Sequence, residues 1–135
     1  MPPKEATVAR VLLINSDKIV ADNICHFLSR AGYQVDWHLE PQAAVDGADA
    51  KAPDAIITDL VFAGRSGAEF LYEFRSYPEW QNLPVIILAD IRPEEFSDAG
   101  SGFGQLNVAA YHYLPITKLT DLVKSLDMAL SPAAA

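Results

Sequence analysis

The chain carries one cysteine, Cys25, so it cannot close an internal disulfide, and a reducing compartment is the expected setting. Basic residues are scarce. Ten lysines and arginines face eighteen aspartates and glutamates, for a formal net charge of −8. That balance lacks the basic stripe that a nucleic-acid backbone requires, and it favours solubility and basic partner surfaces. No apolar run approaches the ~20 residues of a membrane-spanning helix. The opening MPPKEATVAR also lacks the apolar segment of a secretory signal. The expectation is a cytoplasmic protein that engages neither nucleic acid nor membrane. The three histidines, His26, His38 and His112, do not fall at metal-ligand spacing.

What is present is apolar and periodic. Half of the 135 residues are apolar, enough for one packed domain. It is expected at residues 9–130, with 1–8 and 131–135 as loose ends. VLLI (11–14), AIIT (55–58) and VIILA (85–89) are short continuous runs bracketed by proline or polar residues. Unbroken runs of this kind suit strands buried on both faces of a parallel sheet. YQVDW (33–37) and AAYHYL (109–114) are weaker strand signals.

Helical spacing falls between the runs. Ile19, Val20, Ile24, Phe27, Leu28 and Ala31 recur on one stripe, and Gly32 follows as a stop. Ser66 is placed to cap a helix carrying Phe70, Leu71 and Phe74. Leu119, Leu122, Val123, Leu126 and Leu130 define a last amphipathic helix, with Thr117 as its candidate cap. PQAAVDGADA (41–50) reads as a helix interrupted by Gly47. At 93–107, PEEFSDAG favours a helix and GSGFG breaks it.

The order is β-α repeated five times, which gives a single doubly wound (βα)5 domain of flavodoxin-like shape with a five-stranded parallel sheet. Functional residues in such sheets gather at the carboxyl ends of the strands. Here those ends carry Asn15-Ser16-Asp17, Asp59 and Ala89-Asp90.

In this order, PDAIITDL (53–60), Gly67, LPVIILA (83–89) and YHYLP (111–115) resemble the receiver domain of bacterial response regulators, the CheY-like modules of two-component phosphorelay signalling. The resemblance covers nearly the whole chain. It implies that Asp59 is the phosphoacceptor for a histidine kinase. Counting back from Gly32 sets the family's Mg²⁺-holding acidic pair at Asn15 and Ser16, with Ser16 43 positions before Asp59. The hydroxyl that binds the phosphoryl oxygen maps to Ala89, the phosphate-pairing lysine to Leu114, and the aromatic switch residue to Tyr111.

The pattern is broken at most of these positions, so the chain reads as an atypical pseudo-receiver. Asn15 and Ser16 offer oxygens but no charge, whereas Mg²⁺ relies on carboxylates. Asp59 and the nearby Asp17 would be the only acids left to it. Ala89 and Leu114 donate no hydrogen bond, and one charged hydrogen bond is worth about 1.5–3 kcal/mol. Phosphoryl transfer depends on such groups around the equatorial oxygens. No cofactor and no catalytic residue are therefore expected, and coupling from the hydroxyl to Tyr111 should be absent.

The resulting expectation is a protein-protein interaction module rather than an enzyme. Its partner would be a histidine kinase or a downstream signalling protein, docking on the face of the fourth helix, fifth strand and fifth helix. A homodimer is compatible with this reading. The alternative is a working phosphoacceptor at Asp59 that uses Asp17 and Asp90 and takes Mg²⁺. A third reading, a small enzyme or cofactor binder of flavodoxin-like shape, lacks a phosphate-cradling loop directly after any strand. GRSG (64–67) is one residue short of a nucleophile elbow, and GSGFG (100–104) reads as a loop. Trp37 and Trp80 read as loop packing, Cys25 as a partly exposed thiol and His112 as an edge or surface residue.

Overall fold

β1 (Arg10–Ile14) occupies the interior of the sheet because all but its first residue are buried on both faces. The computed structural model describes residues 8–62, 65–92 and 108–130. Among them, β1, β2 (Gln34–His38), β3 (Ala55–Thr58), β6 (Val85–Ala89) and β7 (Val108–Tyr113) form one parallel sheet in the order β2-β1-β3-β6-β7. A short antiparallel ribbon, β4 (Val61–Phe62) with β5 (Arg65–Ser66), follows β3. The described helices are α1 (Lys18–Arg30), α2 (Pro41–Ala50), α3 (Gly67–Arg75) and the last helix, α4 (Leu119–Leu130). The expected parallel α/β architecture is what is found, with β2 and β7 each displaced by one residue from the sequence reading. The helix or loop expected at 93–107 lies outside the described residues, as do the loose ends at 1–7 and 131–135.

Side chains alternate along each strand and divide the core in two. Leu12, Ile14, Ile56, Val85 and Ile87 face Ala44, Val45 and Ala48 of α2 and Leu71 and Phe74 of α3. Val11, Leu13, Ile57, Ile86 and Leu88 face Ala21, Ile24 and Leu28 of α1 and Leu122 and Leu126 of α4. Burying each such side chain contributes about 1.5–3 kcal/mol. The stop expected at Gly32 is real: its φ of +99° is a conformation that a β-carbon disfavours.

Several expectations need correction. Ile19 is not on the buried stripe of α1 but 74% exposed, because the helix turns Ala21, Ile24 and Leu28 to the sheet and Ile19 falls off that face. Ala31 is likewise exposed, one residue past the helix. Thr117 does not cap α4; its hydroxyl donates to the Tyr113 carbonyl at 2.6 Å. Asp121 closes that first turn instead, accepting from the Lys118 N–H at 3.0 Å. Trp80 is more than loop packing. It is buried, stacked on Phe74 at 4.6 Å between centroids and edge-on to Tyr77 at 5.0 Å. Arg75 donates to the Trp80 and Gln81 carbonyls and pins that turn.

Gly47 does not break α2. A β-carbon there would stand 2.6 Å from His38 Nε2 and 3.1 Å from Asp36 Oδ2. The missing side chain lets α2 lie directly on the end of β2.

Candidate functional site

The β1 tip is held by its own polar atoms. Asn15 is 3% exposed. Its N–H donates to the His38 carbonyl at 3.1 Å, and its own carbonyl accepts from the Trp37 indole N–H at 2.9 Å. Its side-chain oxygen accepts from the Asp17 N–H at 2.7 Å. Asp17 in turn caps α1, with Oδ1 accepting from the N–H groups of Ile19 (3.0 Å) and Val20 (3.2 Å). Ser16 between them is exposed.

Asp59 sits at the neighbouring strand end. Its N–H donates to the Ile14 carbonyl at 3.0 Å, so the β1–β3 pairing fixes its height on the rim. It is half-buried, and its Oδ1 accepts from the Leu60 N–H at 2.7 Å. Thr58, fully buried, donates its hydroxyl to the Asp59 carbonyl at 2.9 Å. On the other side of β3, Ala89 is buried in the α2/α3 cluster and Asp90 is exposed.

β7 carries one extra residue relative to β6, since Val85 pairs with Val108 and Ile86 with Ala110. This shift sets which side chains face which layer. Tyr111 packs on the α2/α3 cluster, and its hydroxyl donates to the Ile91 carbonyl, two residues past Ala89. Leu114, at the lysine position, packs instead on the α1/α4 cluster. His112 lies on β7, the edge strand, as expected; it is half-buried, with Nε2 2.8 Å from Ser125 Oγ on α4. Burial lowers the His112 pKa, and the charge of Asp121 works against that. Arg92 lies over the Tyr113 ring, 5.8 Å from its centroid. A depression of about 560 Å³ opens among Arg92, Tyr111, His112, Tyr113, Ile116 and Asp121.

Among the described residues, no group of three or more His, Cys, Asp or Glu side chains is arranged to hold a metal. The donors at the rim suit Mg²⁺ poorly, because Asn15 and Asp17 direct oxygens at backbone N–H groups. The Cys25 thiol is pushed up by burial and by Asp22, which makes it a weak nucleophile. None of the described helices is long and apolar enough to cross a membrane.

Sequence reasoning missed the Trp37–Asn15 and His112–Ser125 contacts. Ser125 lies three residues after Leu122 on the inner stripe of the last helix, and that spacing was the available signal.

The sequence profile of the response regulator receiver domain matches residues 11–103. The transcriptional regulatory protein QseB of Escherichia coli O157:H7 is 35% identical over 79 residues, which cover 58% of this chain and 35% of that protein. Protein Rrf1 of Nitratidesulfovibrio vulgaris is 30% identical over 82 residues, 61% of this chain and 59% of that protein. The aligned stretch thus spans about a third to three-fifths of these relatives' length. By shape, the chain is similar to the chemotaxis response regulator CheY4 of Vibrio cholerae. The TM-score is 0.79 at 22% identity, covering 92% of this chain and 100% of that one. A sensor protein from Polaromonas sp. JS666 gives a TM-score of 0.82 at 19% identity, covering 90% and 95%. These two likenesses carry the fold.

Proposed function

Because this chain belongs to the response regulator receiver domain family, we propose that it serves two-component signalling mainly as a protein-binding module, with Mg²⁺-dependent phosphorylation of Asp59 impaired. The observation that carries this reading is the inward seat of Tyr111. Its hydroxyl is bonded to the Ile91 carbonyl behind a buried alanine, at the position where the family uses a phosphate-sensing hydroxyl. Ala89 has no hydroxyl with which to bind a phosphoryl oxygen and relay it to Tyr111.

The rim chemistry supports the same conclusion. Asn15 and Ser16 supply no charge to a hard cation, and Asp17 is committed to the α1 N-terminus. Leu114 packs away into the α1/α4 layer, so no cation from that position meets an anion at Asp59. The chain acts as a cytoplasmic signalling module rather than a catalyst. Its partner, a kinase or a downstream protein, docks on the face that carries Tyr111, Tyr113 and α4. Neither nucleic acid nor membrane is its direct ligand.

One observation favours the competing reading of a slow phosphoacceptor: Asp59 keeps its place at the end of β3, and Asp90, just past the end of the neighbouring β6, is exposed. The deciding experiment incubates the chain with a small phosphodonor, with and without Mg²⁺, alongside Asp59→Asn. We expect no alkali- and hydroxylamine-labile label and no micromolar Mg²⁺ binding by calorimetry. A label that disappears in Asp59→Asn overturns the proposal.

A further inference from the structure

Behind the rim, on the α1/α4 side of the sheet, lies a cavity of about 160 Å³. Its walls are the side chains of Val20, Ile24, Leu88, Leu114, Leu119 and Leu122. Ile24, Leu88 and Leu122 are at most 2% exposed and form its floor. No charged residue lines it. Two polar residues border it, Asn23 and Thr117. The Thr117 hydroxyl already donates to the Tyr113 carbonyl. Asn23 lies on the exposed side of α1 and marks the mouth.

The size and lining identify what can occupy this space. Water needs two to four polar partners to be held, and these walls offer almost none. The pocket is open to solvent on one side, so an apolar occupant displaces water that these walls hold only weakly and gains contacts with them; its volume is close to the ~150 Å³ of aliphatic cavities that take up benzene or xenon. Leu114, where the family places a lysine, is part of the wall and keeps charge out of it.

We propose that this cavity is a binding site for a small uncharged apolar molecule, of about the size of a single aromatic ring, with any polar substituent directed to Asn23. The occupant bridges α1, β6 and the Leu114–Ile116 turn, and so braces the segment that joins Tyr113 to α4. This site does not depend on whether Asp59 accepts phosphate.

The test is a titration of methyl-labelled protein with benzene and, separately, phenol, followed by NMR. Saturable shifts confined to methyls of Val20, Ile24, Leu88, Leu114, Leu119 and Leu122 are expected. Leu114→Phe fills the space and should weaken benzene binding roughly tenfold or more, as added bulk does in a packed site. Val20→Leu fills it from the opposite wall and serves if the first variant does not fold. Asn23→Ala should weaken phenol and leave benzene unchanged. Shifts that do not saturate, shifts scattered over the surface, or undiminished benzene binding in a folded filled variant would overturn the proposal. Phenol affinity unchanged in Asn23→Ala would overturn the assigned orientation.

Discussion

The indole N–H of Trp37 donates to the backbone carbonyl of Asn15 at 2.9 Å, so the end of β2 holds the tip of β1 in place. Two strand ends are fastened by one side chain that sequence spacing assigns only to packing. Trp37→Phe keeps most of the buried ring and removes the donor. The expected loss is about 1 kcal/mol. For a domain of this size, that is a fall of about 3–5 °C in Tm. Backbone NMR shifts should cluster at Asn15, Ser16 and Asp17. A melting temperature equal to wild type would mean the carbonyl finds water as readily as indole.

Asp17 gives a second test, because a helix cap and a metal ligand respond differently to substitution. Asp17→Ala should destabilise by about 1 kcal/mol, while Asp17→Asn keeps most of the stability because asparagine caps nearly as well. Thermal or denaturant unfolding distinguishes the two. Adding Mg²⁺ should not change the ranking. Stabilisation by Mg²⁺ in wild type that both variants lose would assign Asp17 to a cation instead.

How much of this was legible before the fold was known depends on where a residue sits. Val11 to Ile14, Ala55 to Thr58 and Val85 to Ala89 announce themselves, because a strand buried on both faces must be apolar throughout. The rim positions followed from counting along those runs. Contacts that join distant segments were not legible. The His112–Ser125 pair depends on a one-residue bulge in β7 that periodicity does not show. Thr117 read as a cap because its type and place fit, but a short 3-10 turn, Leu114–Ile116, spent its hydroxyl on Tyr113.

Gly47 reads as a blemish in a helix, but a β-carbon there would meet the end of β2. Alanine normally stabilises a helix interior over glycine by about 0.5–1 kcal/mol. Here the new methyl would meet His38 Nε2 at 2.6 Å, so Gly47→Ala should instead lower stability by about 1–2 kcal/mol through overpacking. In a His38→Ala background only the approach to Asp36 Oδ2 at 3.1 Å remains, so most of that cost should disappear. A double-mutant cycle by urea unfolding reads the difference. Additive effects would show that the His38 ring swings aside freely.

The burial of His112 makes stability depend on pH. Burial lowers the folded-state pKa of His112 below its ordinary value of 6.5. The unfolded chain therefore takes up this proton first as pH falls. The stabilising contribution is complete above about 6.5 and is lost as pH falls through the lowered folded-state value. His112→Gln should remove this part of the slope between pH 7.5 and 5. Asp121→Asn should steepen it, because the Asp121 charge partly offsets burial. Urea midpoints for wild type and both variants, measured across that range, check the sign. Identical slopes in wild type and His112→Gln would exclude His112 as the titrating group.

The two-sided oiliness of the strands has a consequence for how the sheet finds its alignment. Val11 and Leu13 face one layer and Leu12 and Ile14 the other, and both sets are greasy. Sliding β1 by one notch would swap the sets at little expense inside the sheet. It would also drag Asn15 into the dry interior and tear its carboxamide from Asp17. The ends of the strands, not their middles, act as the detents of this sheet. The interior can thus tolerate exchanges of one aliphatic for another, while a polar residue misplaced by a single notch at the tip should derail assembly.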